Sequence, residues 1–170
     1  MNQNIFLIGF MGVGKTAVGK RLAEKMGKKF FDSDREIEKL LGMNIQNAYK
    51  KMGKLRMQSE EKLILNKLID EDKAVISLGG SMIFSTDNIE KMKKRGRIIC
   101  LTAPKEIIMQ RIKRRNNRPL LKNGCLFENI ERLYEERIDY YKLADFSYDT
   151  SEFTLEALTN HIIENINLGK

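Results

Sequence analysis

An α/β fold around a central parallel sheet is predicted for this 170-residue chain by three observations. Five short apolar runs alternate with segments of helical periodicity, the pattern of strands covered on both faces by crossover helices. The first run passes straight into a glycine-rich turn and then a helix. The polar motifs all fall just after strand ends, where ligands gather in parallel sheets.

The elements follow in order. Residues 4–10 (NIFLIGF) read as a buried strand stopped by glycine. Residues 15–26 read as a helix, with Val18, Leu22 and Met26 on one face and Gly27 as its C-terminal stop. Residues 29–31 form a second short strand that ends in Asp32-Ser33-Asp34. Helical patterns cover 35–41, 45–51 and 55–70, broken at Gly42 and Gly53. Residues 74–78 are a third strand, closed by Gly79-Gly80. Residues 88–95 read as helix, 97–101 as a fourth strand and 105–115 as helix. Residues 116–125 read as a loop, 126–143 as one long amphipathic helix, 146–148 as a fifth strand and 155–166 as a final helix. No repeat, low-complexity tract or linker divides the chain, so one domain is expected.

Composition removes several classes of function. Hydrophobic residues make up 42% and charged residues 32%, a globular balance that argues against disorder. No run approaches the length of a membrane span. The N-terminus lacks the basic region and cleavage site of a signal peptide, so cytoplasmic residence is expected. Two cysteines, Cys100 and Cys125, make neither a disulfide framework nor a metal site, and the lone His161 makes no histidine cluster. The net charge of +8 is local: residues 91–118 carry eleven bases and one acid, leaving −2 for the rest. Such a field suits an anionic ligand. It lacks the interleaved aromatics and recognition motif of a nucleic-acid binder.

Gly9 to Thr16 (GFMGVGKT) satisfies G-x-x-x-x-G-K-[ST] between a strand and a helix. Glycines let backbone N–H groups wrap phosphates, and the helix N-terminus adds positive potential. In that arrangement Lys15 reaches the outer phosphates and the Thr16 hydroxyl takes Mg²⁺. Residues 12–17 also fit the dinucleotide variant G-x-G-x-x-A, where the Lys-Thr pair would be superfluous. Asp32 and Asp34, on an extended segment, would point to one side; one would approach the metal through water and the other would take a proton from an attacking hydroxyl. The alternative is that Asp34 caps a helix and Asp32 is solvated. Gly79 and Gly80 would let a substrate approach the backbone closely. Arg118, in the loop with Pro119, would swing onto a transferring phosphate. Adenine contacts are expected near residues 150–153.

These pieces, GFMGVGKT, FFDSD, the helix start from Gly53 to Glu61, SLGGS, RPLL and ERIDYY, resemble the shikimate kinases in the same order. The resemblance implies a three-layer P-loop kinase fold related to nucleoside monophosphate kinases, with sheet order 2-3-1-4-5, a substrate-binding helical region and a lid. It implies a single kinase domain over 1–170, with about 33–62 binding substrate and about 112–125 forming the lid. The implied activity is ATP-dependent phosphorylation of the 3-hydroxyl of shikimate, in aromatic amino-acid biosynthesis, by a monomer that uses ATP and Mg²⁺. By motif, Gly12, Val13, Gly14, Lys15, Thr16 and Ala17 bind the ATP phosphates, with Arg111 near the nucleotide. Thr16 ligates the metal, and Asp32 acts through water. Lys15, Asp34 and Arg118 are catalytic. Asp34, Gln58, Gly79, Gly80 and Arg137 hold the substrate, Arg137 through its carboxylate.

Three positions depart from the family pattern. Gln58 stands where an arginine is expected, Ser81 where a third glycine is, and Lys54 where a glutamate is. Losing one charge-assisted hydrogen bond costs about 1.5–3 kcal/mol, or roughly 10–150-fold in affinity. Lys54 and Lys62 are each four residues from Gln58 and share its helix face, whereas Arg56 faces away, and Lys54 is expected to return the missing charge. The departures also leave open a kinase for another hydroxylated substrate, or a nucleotide-binding regulator with little turnover.

Overall fold

The computed structural model describes residues 3–80, 82, 84–114 and 126–168. Its strands are β1 (Asn4–Gly9), β2 (Lys29–Asp32), β3 (Ala74–Ser77), β4 (Gly96–Thr102) and β5 (Phe146–Asp149). The helices are α1 (Lys15–Met26), α2 (Ser33–Leu41), α3 (Ile45–Ile69), α4 (Thr86–Arg95), α5 (Lys105–Arg114), α6 (Leu126–Glu135), α7 (Ile138–Tyr141) and α8 (Leu155–Leu168). All strand pairs are parallel, in the order β2-β3-β1-β4-β5. β1 is central, pairing Ile5 with Val75 of β3 and with Arg97 of β4. All six residues of β1 are buried, as expected of a strand covered on both faces.

Alternation along β1 builds three layers. Ile5 and Leu7 face Val18 and Leu22 of α1, Ile108 of α5 and Leu158 and Ile162 of α8. Phe6 and Ile8 face Ile37 of α2, Ile64 and Leu65 of α3 and Met92 of α4. From β1 the chain runs to one side of the sheet and later returns to the other, so a crevice opens beyond the carboxyl end of β1.

The sequence-predicted boundaries hold to within two residues for most elements, and two differences are physical. The helix expected over 126–143 is interrupted. The backbone N–H of Arg137 bonds to the Tyr134 carbonyl instead of the Leu133 carbonyl. The Arg137 side chain then takes the freed Leu133 oxygen, Nη1 donating at 2.6 Å. Arg137 thereby becomes the N-cap of α7. Second, Asp34 is not extended. Ser33 already opens α2, and Asp32 is its N-cap, accepting from the Asp34 N–H at 3.2 Å. Arg118, Ser81, Cys125, Arg115 and residues 115–125 of the expected lid lie outside the described residues.

Candidate active site

The loop between β1 and α1 forms the centre of the site. Gly12 and Gly14 have φ of 82° and 102°, a region open to glycine and strained for other residues. That backbone leaves α1 without a side-chain cap at its N-terminus, so its first N–H groups remain for an anion. Lys15 is 8% exposed, and its ammonium donates to the Gly9 and Phe10 carbonyls at 2.8 and 2.9 Å. A buried cation is thus held by the loop it serves.

The second wall comes from the end of β2. The Thr16 hydroxyl donates to Asp32 Oδ2 at 2.7 Å. Asp32, at 9% exposure, is therefore buried and doubly engaged, by Thr16 and by the Asp34 N–H. Thr16 and Asp32 present hard oxygen donors of the type Mg²⁺ selects, and two protein groups suffice for an ion that otherwise binds phosphates and water. The described residues contain no group of three or more His, Cys, Asp or Glu that could hold a metal by themselves.

The third wall follows β3. Gly79 donates its N–H to Ser33 Oγ at 2.8 Å, which ties the glycine turn to the start of α2. A cavity of about 50 Å³ brings Lys15, Thr16, Asp32, Asp34, Gly79 and Gly80 together. Three separate chain segments thus converge as their strand-end positions predict. Gln58 and Arg137 do not line this cavity. Gln58 is half-buried on α3.

A wider groove of about 380 Å³ lies on the other side of the same loop, sharing Gly12, Gly14 and Ala17. Arg111 lines it and is fixed by Thr150, with Nη1 donating to Oγ1 at 2.8 Å. Phe153, Leu155 and Leu158 supply apolar wall. Thr150 and Phe153 fall in the stretch expected to contact adenine. Arg114 also lines the groove, and sequence reasoning missed it because α5 carries four bases whose directions only packing decides. Ser33 was missed as well: its flanking acids signal chemistry, whereas its own hydroxyl is structural.

Arg137 lies apart from both cavities and has an unusual environment. Its side chain is 12% exposed. Its Nε and the Tyr141 hydroxyl are buried polar atoms with no hydrogen-bond partner. Burial pushes the Tyr141 phenol up from its ordinary value, and the Arg137 charge opposes that shift. A guanidinium with an unsatisfied Nε and an unsatisfied phenol beside it suit an anionic, hydroxyl-bearing molecule.

The basic window is not one patch. Arg111 and Arg114 reach the groove, but Lys93, Lys94 and Arg95 lie in the last turn of α4. That turn feeds the amino end of β4, whereas the site is at the carboxyl ends. Arg95 there faces Asp70 and Asp72, each at 3.4 Å.

A parallel sheet in this order, with a phosphate-binding loop after its central strand and two carboxylates facing that loop, defines a P-loop kinase. The comparisons carry this to a family. The family model described as shikimate kinase matches residues 11–167, and the chain belongs to that family. The shikimate kinase of Pelotomaculum thermopropionicum is 44% identical over 161 residues, covering 95% of this chain and 94% of that one. That of Thermodesulfovibrio yellowstonii is 39% identical and covers 99% of each chain. Among solved structures, the shikimate kinase of Acinetobacter baumannii in complex with shikimate superposes with a TM-score of 0.91 at 35% identity, covering 99% of this chain and 94% of that one. The shikimate kinase of Aquifex aeolicus gives 0.83 at 32% identity, covering 96% of each. No helix among the described residues is long and apolar enough to cross a membrane.

Proposed function

We propose that the chain transfers the γ-phosphoryl group of ATP to the 3-hydroxyl of shikimate, giving shikimate 3-phosphate and ADP. The observation that carries this is the central cavity, in which the phosphate loop faces Asp34 and the Gly79-Gly80 turn, in a chain of the shikimate kinase family.

The residues divide the work. Backbone N–H groups of residues 12–17 and the start of α1 hold the ATP phosphates, with the adenosine in the groove lined by Arg111 and Phe153. Lys15 exchanges its carbonyl partners for phosphate oxygens as charge builds on the transferring group. Asp34 orients the attacking hydroxyl and receives its proton while the oxygen–phosphorus bond forms and the bond to ADP breaks. Thr16, with Asp32 acting through water, would hold Mg²⁺, which would supply neutralisation of phosphate charge. Arg118, from the 112–125 lid, completes the clamp. Gly79 and Gly80 line the substrate, and Arg137 takes its carboxylate, a role supported by its unpartnered Nε. Gln58 contributes a neutral hydrogen bond, and Lys54, exposed at the restart of the α3 helix, contributes the charge. The whole chain acts as one catalytic domain, monomeric and cytoplasmic. A free, buried Cys100 thiol is in keeping with a reducing compartment.

The test is a coupled ADP-release assay with ATP, Mg²⁺ and shikimate, run beside Lys15→Ala and with quinate as a second substrate. Turnover with shikimate that collapses in Lys15→Ala is expected. Nucleotide binding without turnover at millimolar shikimate would refute the substrate assignment and direct attention to Gln58 and Ser81.

A further inference from the structure

α3 is a single element by its hydrogen bonding, but Gly53 inside it has φ 77° and ψ 169°. Those angles are open essentially to glycine alone, so the helix is kinked there. A Cβ at Gly53 would meet nothing within 4 Å, so the requirement for glycine is conformational and not steric. Local sequence therefore permits the kink without fixing its angle. The angle must come from tertiary contacts, some of them between the two halves.

One such contact is polar. Tyr49, on the first half, donates its hydroxyl to Glu61 Oε1, on the second, at 3.0 Å. Glu61 is only 6% exposed, and a buried carboxylate holds its donors strongly. Ala48 and Met57, one from each half, are fully buried in the same cluster as Ile37 of α2, and Tyr49 packs against that cluster. α2 is the helix whose first turn carries Asp34. The kink angle thus sets both the seat of α2 and the direction of the face bearing Gln58.

We propose that the Tyr49–Glu61 bond is a positioning device for shikimate: it holds α3 at the angle at which the substrate-binding face and Asp34 are in register. The idea rests on the proposed substrate. Without the bond, the kink samples several angles and only a fraction of molecules is ready to bind. Apparent affinity then falls by that fraction, while turnover at saturation is kept.

Tyr49→Phe removes the hydroxyl and keeps the ring. The expected result is a rise in shikimate KM of about tenfold, the size of one hydrogen bond to a charged acceptor. The KM for ATP and kcat should stay within about twofold, and Tm within about 3 °C, which a general loss of structure would not spare. Hydrogen–deuterium exchange of residues 45–58 should quicken about tenfold, a readout that needs no substrate. Gly53→Ala should likewise raise the shikimate KM and quicken exchange over residues 45–58 by shifting the angle directly, but with a fall in Tm of several degrees from backbone strain. Unchanged exchange in Tyr49→Phe overturns the proposal, as does faster exchange with an unchanged shikimate KM in an enzyme that turns shikimate over. Faster exchange in a chain that does not phosphorylate shikimate would leave the tie standing and reject the substrate instead.

Discussion

Gly79 and Gly80 are neighbours in one turn, yet alanine should damage the enzyme in two different ways. A Cβ built on Gly79 would overlap Asp34 Oδ1 and stand 3.2 Å from its Cγ. Gly79 is not among the glycines with positive φ, so the backbone accepts alanine and only the contact matters. Relief requires the Asp34 carboxylate to move by roughly 1 Å, a rotation its short side chain can make. The fold survives, but the proposed base is displaced, and a 1 Å misplacement at the reacting centre costs about 10²-fold in rate. That corresponds to about 2.7 kcal/mol of transition-state stabilisation. At Gly80 the Cβ would lie 2.7 Å from the Met11 backbone nitrogen and 3.3 Å from the Phe10 carbonyl carbon. Backbone cannot rotate aside, so the phosphate loop itself must shift. Gly79→Ala is therefore expected to lower kcat about 100-fold with Tm nearly unchanged. Gly80→Ala should raise the KM for ATP and lower Tm by several degrees. Steady-state kinetics and thermal melts on both variants, with Asp34→Asn as the reference, decide the matter. A kcat for Gly79→Ala within threefold of wild type, with Asp34→Asn strongly impaired, would show that the carboxylate relaxes without functional cost and would refute the argument.

Further expectations concern charge. Gln58→Arg should lower shikimate KM by about tenfold or more through a charge-assisted bond, and Lys54→Ala should raise it; an unchanged KM in Lys54→Ala means that Lys54 does not replace the missing arginine. Burial raises the Cys100 thiol to about 11 from 9.0, against a smaller opposing effect of the Lys15 charge. The folded state thus holds this proton more tightly than the unfolded state. Its contribution to stability is complete below about pH 9 and disappears as pH rises toward 11. Urea midpoints of wild type should therefore fall more steeply from pH 9 to 11 than those of Cys100→Ala, and parallel slopes would contradict the burial argument.

How much the sequence revealed depended on whether the cause was local. β1 was legible because a central parallel strand needs an unbroken apolar run, and all six of its residues are buried. α1 was legible to the residue because Gly27, with φ 60°, supplies the left-handed stop its position suggests. The convergence of Lys15, Asp32, Asp34 and Gly79 followed from strand ends alone. The conformation around Asp34 was not legible, because D-S-D can continue a strand or cap a helix, and the choice is made by Gly79 bonding to Ser33 from 46 residues away. The interruption before α7 was hidden because helical periodicity runs smoothly through Arg137. Nothing in that pattern tells that its guanidinium takes over a backbone carbonyl.

The basic window carries the same lesson into electrostatics. Net charge along the sequence suggested one attractive field, but β4 divides it. Its seven residues separate the last turn of α4 from the phosphate loop by roughly 20 Å at the usual strand rise. The screening length at physiological salt is about 8 Å, so Lys93 and Lys94 contribute little to the potential in the cavity. The charges that matter are those buried or fixed near the loop: Lys15 on its carbonyls and Arg111 on Thr150. Asp32 and Asp34 oppose Lys15 in the central cavity. A site built this way has little excess attraction to spare for unrelated polyanions. On the proposed function, its affinity for nucleotide would come from fitted contacts, namely loop N–H groups, the held ammonium and the groove, and not from the +8 of the whole chain. That is why the overall basicity, conspicuous in the sequence, is a poor guide to the ligand, while eight residues of loop are a good one.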